Sequence, residues 1–173
     1  MGIREFSLPI FAGILQGKQY VLWSKGKLVR VLMGTYESEL TTIVAETLKT
    51  GQAFWDIGAH AGYYAMLAAG ILGDDGEIIA FEPSPRNVHY LKMNLERNRI
   101  ETVRVVPKAV AGERGAVTFE AGTGTGTGSL LKGAEGIRVD VITLDDFVRD
   151  NPGIRMPDAV TIDVEGAEYG LLK

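Results

Sequence analysis

Asp56, Gly58, Ala59, His60 and Gly62 fall within one short run, Phe54-Trp55-Asp56-Ile57-Gly58-Ala59-His60-Ala61-Gly62, which reads as a strand ending in an acid, a glycine-bounded turn and a helix start. A second acid, Glu82, closes the next strand-like run and is followed by Pro83. Amides at a helix start beside a carboxylate on the neighbouring parallel strand make a pocket of nucleotide type. Glu82 has the lone pairs to accept from both ribose hydroxyls, against the plainer reading of an acid before a Pro83 turn. Further along, Asp163, Glu165 and Glu168 gather at the carboxyl end of another apolar run, where open sheets bind ligands. A carboxylate there can take the proton of an attacking hydroxyl. The competing account has these acids satisfying loop amides or a helix N-terminus.

The sign of the charges narrows the ligand. A dinucleotide turn wants G-x-G-x-x-G, and His60 stands where the middle glycine would let a pyrophosphate approach. Asp56 would repel a diphosphate and attract the sulfonium and ammonium of S-adenosylmethionine. At about 4 Å and an effective dielectric of about 20, that choice is worth roughly 4 kcal/mol before desolvation. The expected cofactor is therefore S-adenosylmethionine, its carboxylate facing the helix start near Gly62. Asp56 either binds the methionine amine or anchors the loop through backbone amides. Gly58 and Gly62 supply an unusual turn and close cofactor approach. Ala109, after the third strand, either offers backbone contacts to the adenine edge or simply packs. Glu37, with Tyr36, either closes over the cofactor or begins a helix with a favourable acid. Tyr63 and Tyr64 read as core residues before ligands. A cation site on Asp163, Glu165 and Glu168 is conceivable from their oxygens but lacks histidine support, so no metal is expected.

The elements that position these residues follow from periodicity. Residues 19–23 and 28–33 read as strands around the turn signal Ser24-Lys25-Gly26-Lys27, predicting a small hairpin. Residues 36–49 carry apolar positions at helical spacing up to Gly51, a helix leading into the sheet. From residue 53 the pattern alternates: strands at 53–57, 77–81 and 103–106, helices at 62–72 and 86–97. Such βαβ units demand a Rossmann-like, doubly wound α/β fold with a parallel sheet and right-handed crossovers. After Ala109 comes a small β insertion, with strands at 116–120 and 137–142 around the glycine-threonine tract 122–128. That tract lacks the Gly-Lys-Ser/Thr ending of a phosphate loop and reads as a flexible loop or a lid. A short helix at 144–149 and a fourth main strand at 159–164 complete the pattern. An apolar strand left near a sheet edge predicts a domain truncated after its fourth main strand. Residues 1–50, the hairpin and leading helix, belong to the same domain as 51–173, which binds the cofactor.

Composition limits the classes. The chain of 173 residues, 46% hydrophobic and 23% charged, suffices for one domain with a core. A net charge of -4 and no basic run argue against a nucleic-acid partner. With no cysteine, disulfides and a covalent cysteine mechanism are excluded. The apolar run at 6–15, broken by Pro9 and Gly13, is too short to span a bilayer and a poor leader. A cytoplasmic protein with no membrane partner is the expectation.

Taken in order, Gly34-Thr35-Tyr36-Glu37, Asp56-Ile57-Gly58-Ala59-His60-Ala61-Gly62-Tyr63-Tyr64, Phe81-Glu82-Pro83-Ser84-Pro85-Arg86-Asn87, Leu144-Asp145-Asp146 and Ile162-Asp163-Val164-Glu165-Gly166-Ala167-Glu168 form a specific set. The chain resembles the FkbM-type S-adenosylmethionine-dependent methyltransferases over nearly its whole length. The family usually has Asn where His60 stands, and it continues past Lys173. The resemblance implies O-methylation of a hydroxyl on a sugar, glycan or polyketide-type acceptor. Its competitors are a non-catalytic nucleotide-binding fragment, a nucleic-acid methyltransferase lacking its Asn/Asp-Pro-Pro-Tyr/Phe signature, and a nicotinamide oxidoreductase disfavoured by His60 and Asp56.

Overall fold

A computed structural model of the chain describes residues 6–21, 25–119, 130–131 and 137–164. The described elements begin with strands β1 (Ser7–Pro9) and β2 (Gln19–Val21) and helices α1 (Lys25–Leu32) and α2 (Ser38–Thr47). There follow β3 (Ala53–Ile57), α3 (Tyr63–Leu72), β4 (Glu77–Phe81), α4 (Pro85–Arg97) and β5 (Val103–Val106). The remainder comprises β6 (Ala109–Val110), β7 (Gly115–Phe119), β8 (Leu130–Leu131), β9 (Ile137–Ile142), α5 (Leu144–Asp150) and β10 (Ala159–Ile162).

The hairpin differs from the expected one. β2 pairs antiparallel with β1, Ser7 opposite Val21, and the stretch read as its partner strand is helix α1. The reason lies in which side chains share a face. A strand would set Arg30 beside Leu28 and Leu32, whereas a helix groups Leu28, Val31 and Leu32. Val31 and Leu32 are buried, with Val29 and Met33 exposed, so the helical grouping buries the apolar side chains and leaves Arg30 in water.

The main sheet is parallel throughout, in the order β10-β3-β4-β5. Strand β3 is buried along its whole length, as a central strand covered on both faces must be. Alternation divides its side chains between two cores. Phe54 joins Met66, Leu67, Ile78 and Leu91 under α3 and α4, together with Val31 and Val44 from the N-terminal helices and Tyr36 from the turn between them. Trp55 and Ile57 join Ile79, Phe81, Val106 and Phe147 on the opposite face. There Trp55, Phe81 and Phe147 meet edge to face.

Local chemistry starts and stops the helices. Ser84 caps α4 by accepting from the Asn87 amide, with Pro85 in the first turn, where a missing N–H costs nothing. Thr143 caps α5 through the Asp146 amide at 3.0 Å. The insertion folds as a second sheet, β6-β9-β7-β8, parallel only between β6 and β9. The glycine-threonine tract expected to form a loop or lid lies outside the described residues.

Candidate functional site

The turn joining β3 to α3 is bonded almost entirely to its own chain. The amides of Gly58 and Ala59 both donate to the Phe81 carbonyl at 2.9 Å, the His60 amide to Glu82 Oε2 at 2.8 Å, and the Gly62 amide to the Ala59 carbonyl at 2.7 Å. The backbone must turn left-handed to do this: φ is +90° at Gly58, +52° at His60 and +85° at Gly62. Histidine, like asparagine, is enriched among non-glycine residues in that conformation, so His60 fits the backbone here. Its imidazole is held neutral, with a pKa lowered to about 4 by burial and then by the nearby Lys27 and Arg86 charges.

The two glycines serve different neighbours. A Cβ on Gly58 would lie 2.0 Å from the Asp163 carbonyl oxygen, so this glycine admits the end of β10 against the turn. At Gly62 a Cβ would lie 3.2 Å from the Leu91 side chain of α4, so besides allowing φ +85° this glycine spares Leu91 a shift of a few tenths of an ångström.

Parallel register sets Asp56 of β3 opposite Thr161 of β10. The Thr161 hydroxyl donates to Asp56 Oδ1 at 2.8 Å, while Oδ2 is buried and has no hydrogen-bond partner among the described residues. Burial raises the Asp56 pKa to about 7, opposed by the Thr161 bond and by the Ala65 amide at the start of α3, and reinforced by the Glu82 and Asp163 charges.

Asp56 lines a cavity of about 680 Å³, with Gly58, Ala59, His60, Glu37 and Asp163 also on its wall. Asp163 is exposed and anchored by its amide to the Ile57 carbonyl at 2.8 Å. Glu37 takes a left-handed backbone, φ +41°, at the start of α2 and accepts from the Tyr64 hydroxyl at 2.7 Å. Tyr36, Tyr63 and Tyr64 stack edge to face beside it. Burial and then Glu37 push the Tyr64 hydroxyl well above its ordinary pKa, so it stays a donor.

Other expected site residues lie elsewhere. Glu82 is buried behind the turn, its Oε1 taken by the Ser84 amide and the Asn87 side chain and its Oε2 by the His60 amide. Its pKa is raised by burial, against the pull of those three bonds. Gly62, Glu82, Pro83 and Ala109 are not among the residues lining the cavity. Pro83 is half-buried beside Glu82, and Ala109 belongs to β6, opposite Val141 in the insertion sheet. Glu165 and Glu168 lie outside the described residues. Sequence reasoning missed Thr161, Asn87 and Lys27, the last also on the cavity wall. Thr161 had no signal short of strand register; Asn87 could have been found as the amide three residues after the Ser84 cap.

A methionine-bearing cation fits what is present. Asp56 carries a buried carboxylate oxygen without a hydrogen-bond partner among the described residues and lines a cavity within the size range of small-ligand sites, where an ammonium group would offer a further donor. Fold and turn together define the class: a Rossmann-like α/β domain with a nucleotide-type turn after its first parallel strand. The methyltransferase FkbM domain model matches residues 56–173, more than half of the chain, and the chain belongs to that family. A hexuronic acid methyltransferase, AglP of Haloferax volcanii, is 26% identical over 146 residues, covering 84% of this chain and 58% of its own length. The chain thus spans little more than half of that curated relative. Among solved structures, a protein-L-isoaspartate O-methyltransferase is 30% identical over 40% of this chain and 22% of its own, with a TM-score of 0.38. A precorrin-6y C5,15-methyltransferase from Geobacter metallireducens GS-15 is 25% identical over 49% and 42%, with a TM-score of 0.39.

Proposed function

We propose that the protein methylates a hydroxyl oxygen of a sugar or glycan, with the turn from Asp56 to Gly62 holding the methyl donor and Asp163 facing the acceptor. The reading is carried by the partnerless Asp56 Oδ2 on a cavity that Asp163 also lines. The sugar class is supported by the hexuronic acid methyltransferase relative.

Bound in the cavity, S-adenosylmethionine supplies an electrophilic methyl group on a sulfonium. Asp56, Gly58, Ala59 and His60 would hold its methionine end, with Asp56 as the ammonium partner and Glu37 closing the other wall. Glu82 acts chiefly through the turn, because three donors already occupy it. In-line displacement owes much of its rate to alignment, which these groups provide. Asp163, exposed at the mouth, accepts the proton of the attacking hydroxyl, with Glu165 and Glu168 as the alternatives from the same segment. The substrate is an uncharged hydroxyl, and no nucleic acid is involved. Among the described residues no helix is long and apolar enough to cross a membrane.

The test is methyl transfer by the full-length protein to hydroxylated sugars, hexuronic acids among them, followed by mass measurement and mild alkali. An alkali-stable ether is expected. Because a hexuronic acid also offers a carboxylate, an alkali-labile methyl would mean an ester and overturn the hydroxyl assignment. Asp163→Asn is expected to lower kcat by about 10²-fold or more while leaving S-adenosylhomocysteine affinity within a factor of about three.

A further inference from the structure

The family match begins at residue 56, yet the cofactor turn is also held from the segment before it. Asn94 on α4 is fully buried and uses both ends of its side-chain amide. Its Oδ1 accepts from the Val21 amide at 2.7 Å, and its Nδ2 donates to the Ala61 carbonyl at 2.9 Å. One turn later, Asn98 accepts from the Gln19 amide at 2.8 Å and donates to the Gln19 carbonyl at 2.7 Å. The two side chains thus bond one edge of β2 while β1 pairs with the other. They are not equivalent: Asn98 Nδ2 donates to the Gln19 carbonyl and to the Asn94 carbonyl one turn back in α4, both at 2.7 Å, whereas the Asn94 side chain reaches across to the turn.

Ala61 lies between His60 and Gly62, both left-handed. For a non-glycine residue such a conformation costs about 1–2 kcal/mol, and it persists only where the surroundings over-determine it. The amides of Gly58, Ala59, His60 and Gly62 fix one side of the turn, and the Asn94 amide fixes the Ala61 carbonyl on the other. A buried carbonyl deprived of its donor would rotate to find another. That rotation would carry His60 and Gly62 with it.

We infer that Asn94 is a positioning residue for the cofactor turn, and that through it the β1–β2 hairpin is a working part of the methyltransferase site. The inference rests on the reading of the Asp56 to Gly62 turn as the holder of the methyl donor. Asn94 reaches the turn through the Ala61 carbonyl.

The experiment compares Asn94→Asp, which keeps the acceptor for Val21 and turns a carboxylate toward the Ala61 carbonyl, with Asn98→Ala, which loosens β2 without touching the turn. S-adenosylhomocysteine affinity is read by calorimetry, and amide exchange of residues 59–62 in the unliganded protein is read alongside it. Asn94→Asp is expected to weaken binding at least tenfold and speed exchange in the turn; Asn98→Ala is expected to lower Tm while changing neither by more than twofold. If the buried carboxylate prevents folding, Asn94→Ser is read in its place. Unchanged affinity and exchange in the folded Asn94 variant would overturn the inference, as would equal effects from Asn98→Ala. Wild-type protein that binds no S-adenosylhomocysteine would sink the cofactor assignment alone, and turn exchange would still decide the role of Asn94.

Discussion

Asp56 concentrates the electrostatics of the site in one side chain. Its folded pKa, about 7, lies above the ordinary carboxylate value, so between about 4 and about 7 the folded protein holds a proton the unfolded chain releases. The associated stability is complete below about 4 and is lost as pH rises through about 7. Cofactor affinity should run the opposite way, because only the carboxylate attracts an ammonium. S-adenosylhomocysteine binding is therefore expected to tighten from about pH 5 to about 7 and then level off, with proton release seen by calorimetry in buffers of different ionisation enthalpy. Asp56→Asn should flatten that profile, weaken binding by about tenfold to a hundredfold, and stabilise the unliganded protein above pH 7. A pH profile unchanged in Asp56→Asn would remove Asp56 from the cofactor contact. At the next left-handed position, His60→Asn should leave Tm nearly unchanged, whereas His60→Val should cost about 1–2 kcal/mol in denaturant titration.

At the scale of elements, the site is a junction between the ends of β3 and β10. Asp158 fixes their register: its amide donates to the Ala53 carbonyl, and its side chain accepts from the Ala53 amide, both at 2.8 Å. That register sets Thr161 against Asp56, and Gly58 lets the Asp163 backbone close over the turn. Gly58→Ala combines a clash with strain at φ +90°. It should cost about 2–3 kcal/mol or more by chemical denaturation and displace Asp163, with methyl transfer falling further than stability accounts for. The elements also mark the limit of periodicity as a guide. Strands β4, β5 and β9 have the expected bounds because they are short, rich in β-branched residues and closed at both ends by turn signals. Residues 28–33, Leu-Val-Arg-Val-Leu-Met, are rich enough in β-branched and apolar residues to suit either period. What settled them as helix α1 was which residues the core would accept.

For the molecule as a whole, one core joins the segment before residue 51 to the segment after it. Val31, Leu32, Tyr36 and Val44 pack in the same cluster as Phe54, Met66 and Leu67. At about 1.5–3 kcal/mol for each large apolar side chain, removing those four forfeits roughly 6–12 kcal/mol, comparable with the whole stability of a domain. Residues 51–173 expressed alone are therefore expected to show no cooperative thermal transition by circular dichroism. A sharp transition at the full chain's temperature would show that the two segments are separate units. The cavity is subject to the same dependence, since its wall runs from Lys27 and Leu28 through Glu37 to Asp163.

The sequence alone determined the succession of βαβ units, the glycine turn after Asp56 and the acid after β4, because each is local: strand length, turn chemistry and helix start are read within a few residues. It also carried the family, in motifs whose order survives without coordinates. The tertiary structure decided what those residues face. Glu82 proved to be bound by its own loop, Gly58 to admit a strand end, and Gly62 to admit Leu91. Asp56 acquired Thr161 from a strand 105 positions away, and Ala61 acquired Asn94 from α4. Such partners follow from register and helix docking, which depend on burial summed over the whole chain, and no window of sequence contains them.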